Sequence, residues 1–165
     1  MGTRLLSEHI IKKYNPQLRY VRIHTSGKNA ATLYAWNDQL TLPDKEKTAL
    51  KHFVTGYLPP YVCYQIKEYS MLQADNIPQA HELPDPIVQT AMRNNLDQYG
   101  IVAVINGMFT SGEMTFNKYD SHSGTLHFDV RTTTFVTDIE KELILRYLGE
   151  IIPLGSTCKV AYKKC

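Results

Sequence analysis

The sequence predicts an α+β protein built as a tandem duplication of an α-β-β-α-β unit, with helices packed on a largely antiparallel sheet. Three observations predict it. Four segments carry the apolar spacing of amphipathic helices, with strand-like runs between them. The stretch DKEKTALKHFVTGYLP (residues 44–59) lies without a gap over DIEKELILRYLGEIIP (residues 138–153). A Thr-Ser-Gly turn occurs twice, in HTSGKNAATLYAW from His24 and in FTSGEMTFNKY from Phe109.

The first helix rests on Leu5, Leu6, Ile10, Ile11 and Tyr14, which share one helical face. Strand signals follow over residues 18–24 and 31–36, flanking the first Thr-Ser-Gly turn, where glycine supplies hairpin punctuation. The second helix carries Ala49, Leu50, Phe53, Val54 and Tyr57 on one face, with Pro43 and Asp44 at its start. A long strand is expected over residues 61–72, with Val62, Tyr64 and Ile66 on one side.

The third helix begins at Asp85-Pro86 and runs through Val88, Ala91, Met92 and Leu96 to Tyr99. Strands are then expected over residues 101–109, 113–119 and 125–135, so that the second unit has one strand more than the first. Thr137 and Glu140 form a capping box before Leu143, Ile144, Tyr147, Leu148 and Ile151, and residues 157–163 make the last strand.

These elements divide the chain into a first unit (residues 1–72), a polar, proline-containing linker (73–84) and a second unit (85–165). In the ungapped overlay, Asp44, Glu46, Lys47 and Pro59 match Asp138, Glu140, Lys141 and Pro153, and the apolar faces coincide. One residue of slack then brings Cys63 onto Cys158. The alternative division is a ferredoxin-like core over residues 61–165, with the first helix and hairpin as an N-terminal addition.

Charge is nearly balanced overall at +2, yet unevenly placed. Residues 1–72 hold ten Lys/Arg against five Asp/Glu, whereas residues 73–136 hold three against seven. Such a split suits lobes that attract one another or a partner of mixed charge. The N-terminal stretch has no signal-peptide apolar core, no run reaches membrane-span length, and three cysteines without CxxC spacing fit a reduced, cytoplasmic setting. No membrane partner is expected.

Chemistry-bearing motifs are sparse. Walker, GxGxxG, HExxH, GxSxG and paired CxxC patterns are all absent. The hairpin DSHSGTLHFD, turning at Ser123-Gly124, would place Asp120 opposite His127 and Lys118 opposite Asp129, with His122 on the same face. Its aromatic and aliphatic back face marks it as a solvated hairpin surface, so no metal and no cofactor are expected. Cys63, in YVCYQIKEY, reads as strand packing rather than a nucleophile, and Cys158 likewise.

The remaining candidate is the basic, aromatic-rich first unit, with Arg19, Tyr20, Arg22, Lys28 and Lys67 as the binding residues; Tyr20, Arg22 and His24 share one strand face. The sequence therefore points to a non-enzymatic binding or regulatory protein acting through its sheet surface, an inter-lobe groove or self-association as a homo-oligomer, with a protein or small ligand as partner. Nucleic-acid binding through the first unit is the alternative. A metal- or cysteine-dependent hydrolase is the third reading.

Overall fold

A computed structural model describes residues 2–75 and 82–165. The elements run α1 (Arg4–Tyr14), β1 (Tyr20–Gly27), β2 (Ala30–Trp36), α2 (Asp44–Tyr57), β3 (Cys63–Lys67), α3 (Tyr69–Ala74), α4 (Asp85–Ala91), α5 (Gln98–Met108), β4 (Glu113–Asp120), β5 (Thr125–Thr132), α6 (Asp138–Ile151) and β6 (Thr157–Lys164). The fold is α+β, with two three-stranded sheets ordered β1-β2-β3 and β4-β5-β6.

Each sheet is mixed rather than largely antiparallel. β1 and β4 pair antiparallel with β2 and β5 through hairpins. β3 and β6 return through α2 and α6 and pair parallel with β2 and β5. A parallel neighbour requires a crossover of this kind, and the helix supplies it. β3 belongs to the first sheet, which overturns the ferredoxin-like alternative, since that division needs it beside strands of the second unit.

The expected strand over 101–109 is a helix, α5. Its run of Ile, Val and Ala is apolar on most sides, so it carries no clear period, and burial decides its state. Asp97 caps it by accepting the Gly100 N–H at 2.8 Å, and Ile101 and Ile105, one turn apart, are both buried. The expected third helix correspondingly stops at Ala91 as α4.

This correction brings the units closer together. α1 and α5 are each 11 residues long and begin at 4 and 98; α2 and α6 are each 14 residues long and begin at 44 and 138, the same shift of 94. The shift also carries the capping Thr3, which accepts the Leu6 N–H, onto Asp97.

Two sequence correspondences do not survive. Cys63 lies opposite Ala30 and Thr157 opposite Thr125 at the starts of the parallel pairings, so Cys63 corresponds to Thr157 without slack, not to Cys158. The second Thr-Ser-Gly stretch sits between α5 and β4, whereas the first closes β1; the echo is not structural.

The expected strand over 61–72 also divides, into β3 and α3. α3 lies over the face of the first sheet that α1 and α2 leave open. Tyr69 meets Trp36 edge-on at 4.9 Å, and Asp75 accepts hydrogen bonds from the Tyr34 hydroxyl (2.6 Å) and the Lys67 ammonium (2.7 Å).

Two cores result. Ile11, Ile23, Leu33, Leu50, Val54 and Ile66 fill the first, and Ile101, Ile105, Phe128, Ile144 and Leu148 the second. Each also takes a side chain from the other unit: Leu154 is buried in the first core, and Leu5 packs against the second. Thr3 donates from its hydroxyl to the Ala91 carbonyl at 2.6 Å across the same seam. Half of the expected linker, residues 76–81, lies outside the described residues. No helix of the described residues is long and apolar enough to cross a membrane.

Candidate binding groove between the units

Strand alternation directs Val21 and Ile23 into the first core and places Tyr20, Arg22 and His24 on the opposite side of β1. The five expected binding residues do not converge there. Arg19 is exposed, with Asp38 no nearer than 3.9 Å. Tyr20 stacks on Trp36 at 4.0 Å, and Lys67 is bound to Asp75. Lys28 sits at the hairpin tip beside Gly124. Arg22 alone of the five lines the groove between the units.

That groove has a volume of about 340 Å³. Arg4, Arg22, His24 and Thr25 line it from the first unit, and Arg146, Glu150, Thr157 and Cys158 from the second. Arg4 bridges the walls. Its Nε donates to Glu150 at 2.9 Å, its Nη2 also reaches Glu150, and its Nη1 donates to Glu8 at 2.8 Å. Glu8 in turn accepts the Ile23 N–H at 2.8 Å, occupying an edge donor of β1.

Arg4 stands in the first turn of α1 and Glu150 in the last turn of α6, so each opposes its own helix dipole. Each offsets the other's misplaced charge across the seam. Burial pulls the Arg4 guanidinium down, and the carboxylates of Glu8 and Glu150 more than reverse that. Burial raises the Glu8 carboxyl despite Arg4.

The other cations are less engaged. Among the described residues Arg22 makes no ion pair, and Arg146 has only Glu142, one turn back and 3.9 Å away. His24 is held below its ordinary range by burial, then by Arg22 and Arg4, so its ring is neutral at pH 7. Burial pushes the Cys158 thiol up to about 11, which keeps it protonated and a poor nucleophile. Arg22 and Arg146 thus line the groove without a close carboxylate partner among the described residues.

A second cavity along the seam, about 430 Å³, is lined by Tyr61, Ile101, Phe116, Tyr119 and Leu126 and shares Pro153 and Ser156 with the first. The polar hairpin differs from its expected register. Asp120 lies opposite Thr125, Lys118 opposite His127, and Thr115 opposite Asp129, because the turn is longer than two residues and a bulge follows Phe116. Asp120 accepts from the His122 N–H and the Ser123 hydroxyl, and Asp129 from Asn117 and Lys163. No group of three or more metal-ligating side chains occurs among the described residues.

No protein-family model, curated protein or solved structure matches this chain. Sequence reasoning missed Arg4, Arg146 and Glu150. The available signal was charge at the wrong helix ends: Arg4 at the start of one predicted helix and Glu150 near the end of another.

Proposed function

We propose that the protein is a non-enzymatic binding protein that holds a small oxyanion-bearing ligand (phosphate, sulfate or carboxylate) in the groove between its units. One observation carries the reading: Arg22 and Arg146, contributed by different units, line one groove without a close carboxylate partner among the described residues. A guanidinium presents a planar fork of donors to an oxyanion, and charge-assisted bonds of this kind are the strong ones. The volume falls at the low end of the range for small-molecule sites, roughly 300–1,000 Å³.

Single-stranded nucleic acid is favoured less. It needs aromatic faces free to stack bases, whereas Tyr20 stacks on Trp36, Trp36 also meets Tyr69, and Tyr34 is buried. The shared shift of 94 and the repeated strand order support a tandem duplication that brought two halves of a binding groove together.

Calorimetric titration with sulfate, phosphate and citrate tests the reading. Saturable binding that weakens about tenfold or more in Arg22→Gln and in Arg146→Gln, with circular dichroism unchanged, supports it. The double variant binding as tightly as the parent would overturn it. Retention on a single-stranded oligonucleotide with a steep salt slope would transfer the function to the alternative reading.

A further inference from the structure

We propose that the groove takes up its anion together with a proton, and that His24 is the residue that carries the proton. This rests on the reading of the groove as an oxyanion site and adds a binding residue to it. His24 follows Arg22 by two positions on β1, so both project from the same side of the strand toward the groove. Neither ring nitrogen of His24 has a hydrogen-bond partner among the described residues, so one can donate to a ligand oxygen.

The surrounding charges fix the sign. Arg4 and Glu8 face this region from α1, Arg22 from β1, Arg146 and Glu150 from α6, and the neutral Cys158 thiol from β6; Thr32 lies opposite on β2. Glu8 and Glu150 are both engaged by Arg4. In the free groove, burial, Arg22 and Arg4 disfavour a charged ring. An anion between Arg22 and Arg146 offsets that repulsion and offers the ring an acceptor, so the ring binds its proton more tightly in the complex.

Linkage then makes affinity rise as pH falls. The gain is confined to the interval between the lowered value of the free ring and its higher value in the complex, and affinity levels off below that interval. A difference of about one pKa unit corresponds to about tenfold tighter binding. Glu8 is the competing titratable group, because protonating it also removes negative charge near the groove.

The test is titration of the full chain with sulfate, whose charge is constant over this range, between pH 5 and 7.5. Calorimetry in two buffers of different ionisation enthalpy counts the protons taken up. The expected results are affinity that increases on acidification, net proton uptake over the pH interval in which affinity changes, and loss of both in His24→Gln while Glu8→Gln keeps them. Sulfate binding that is flat with pH in the parent overturns the role of His24 but leaves the anion site standing; so does a pH dependence that persists in His24→Gln. No sulfate binding at any pH overturns this inference, and no binding of phosphate or citrate either removes the anion site itself. If His24→Gln fails to fold, proton uptake that persists in Glu8→Gln supports the role of His24, and uptake lost in Glu8→Gln overturns it.

Discussion

The backbone N–H of Asn29 donates to the carbonyl of Gly155 at 3.0 Å, while the Asn29 carbonyl accepts from the Cys63 N–H at 2.8 Å. The tip of the first hairpin is thereby tied to the loop that feeds β6. Gly124 plays the corresponding part in the second unit, its carbonyl accepting the Thr157 N–H at 3.0 Å. Asn29 and Gly124 both have positive φ, 52° and 66°, which turns their carbonyls toward the arriving parallel strand.

Gly155 is where this seam is least tolerant. It is buried at φ 84°, and a Cβ there would lie 3.1 Å from Asn29 Cα and 3.3 Å from Val62 Cγ2. Gly155→Ala should cost about 1–3 kcal/mol of stability. Gly56, exposed inside α2, has nothing within 4 Å of such a Cβ, and Gly56→Ala should gain about 0.5–1 kcal/mol. Urea denaturation of both variants checks the pair, and equal effects would contradict the seam geometry.

Leu154 belongs to the second unit but is buried in the first core. Leu154→Ala should cost about 2–5 kcal/mol, because the cavity opens inside packed side chains. The units should also unfold together. Fluorescence of Trp36, the single tryptophan, reports on the first unit, and its midpoint should coincide with that from far-ultraviolet circular dichroism. Separated midpoints would show that the units are energetically independent.

The acid limb of stability should depend on Asp75. Hydrogen bonds from Lys67 and then Tyr34 hold its carboxyl below the ordinary carboxylate range. A carboxylate depressed in the folded state stabilises above its unfolded pKa, about 4, and that contribution is lost as pH falls through the lower folded value. The stability gap between the parent and Lys67→Met should therefore be constant above about pH 5 and narrow below pH 4. Denaturation series from pH 2 to 6 measure it, and a gap unchanged at low pH would assign the effect to packing instead.

Thiol chemistry should separate the cysteines. Cys63 and Cys165 are exposed, whereas Cys158 is half-buried with its thiol pushed up to about 11. At pH 8 only about one Cys158 in a thousand is then thiolate. A disulfide reagent should modify two thiols quickly and the third only on unfolding. Rapid modification of all three would show Cys158 to be activated, reviving the cysteine-dependent reading.

The sequence by itself determined the elements whose evidence is local. The faces of α2 and α6 were legible because Leu50 with Val54, and Ile144 with Leu148, recur at the spacing of one helical turn. The capping Thr137 was legible because its bond to the Glu140 N–H spans three residues. For the same reason the overlay of 44–59 on 138–153 placed one amphipathic helix on another, and both are 14-residue helices that lead into a strand.

Tertiary structure decided what local pattern left open. A β-rich, apolar run became α5 because burial next to β4 and the Asp97 cap favoured a helix; the Asn106 side chain fastens it there by hydrogen bonds to both the Met114 N–H and carbonyl. The pairing of β3 with β2 rather than with a second-unit strand was likewise set by packing. The groove was the least legible feature. Arg4 and Glu150 meet across 146 positions, and Arg22 and Arg146 line one groove where the two cores exchange Leu5 and Leu154. Periodicity reports which face of a segment avoids water; where distant charged ends come to rest depends on how the buried faces dock.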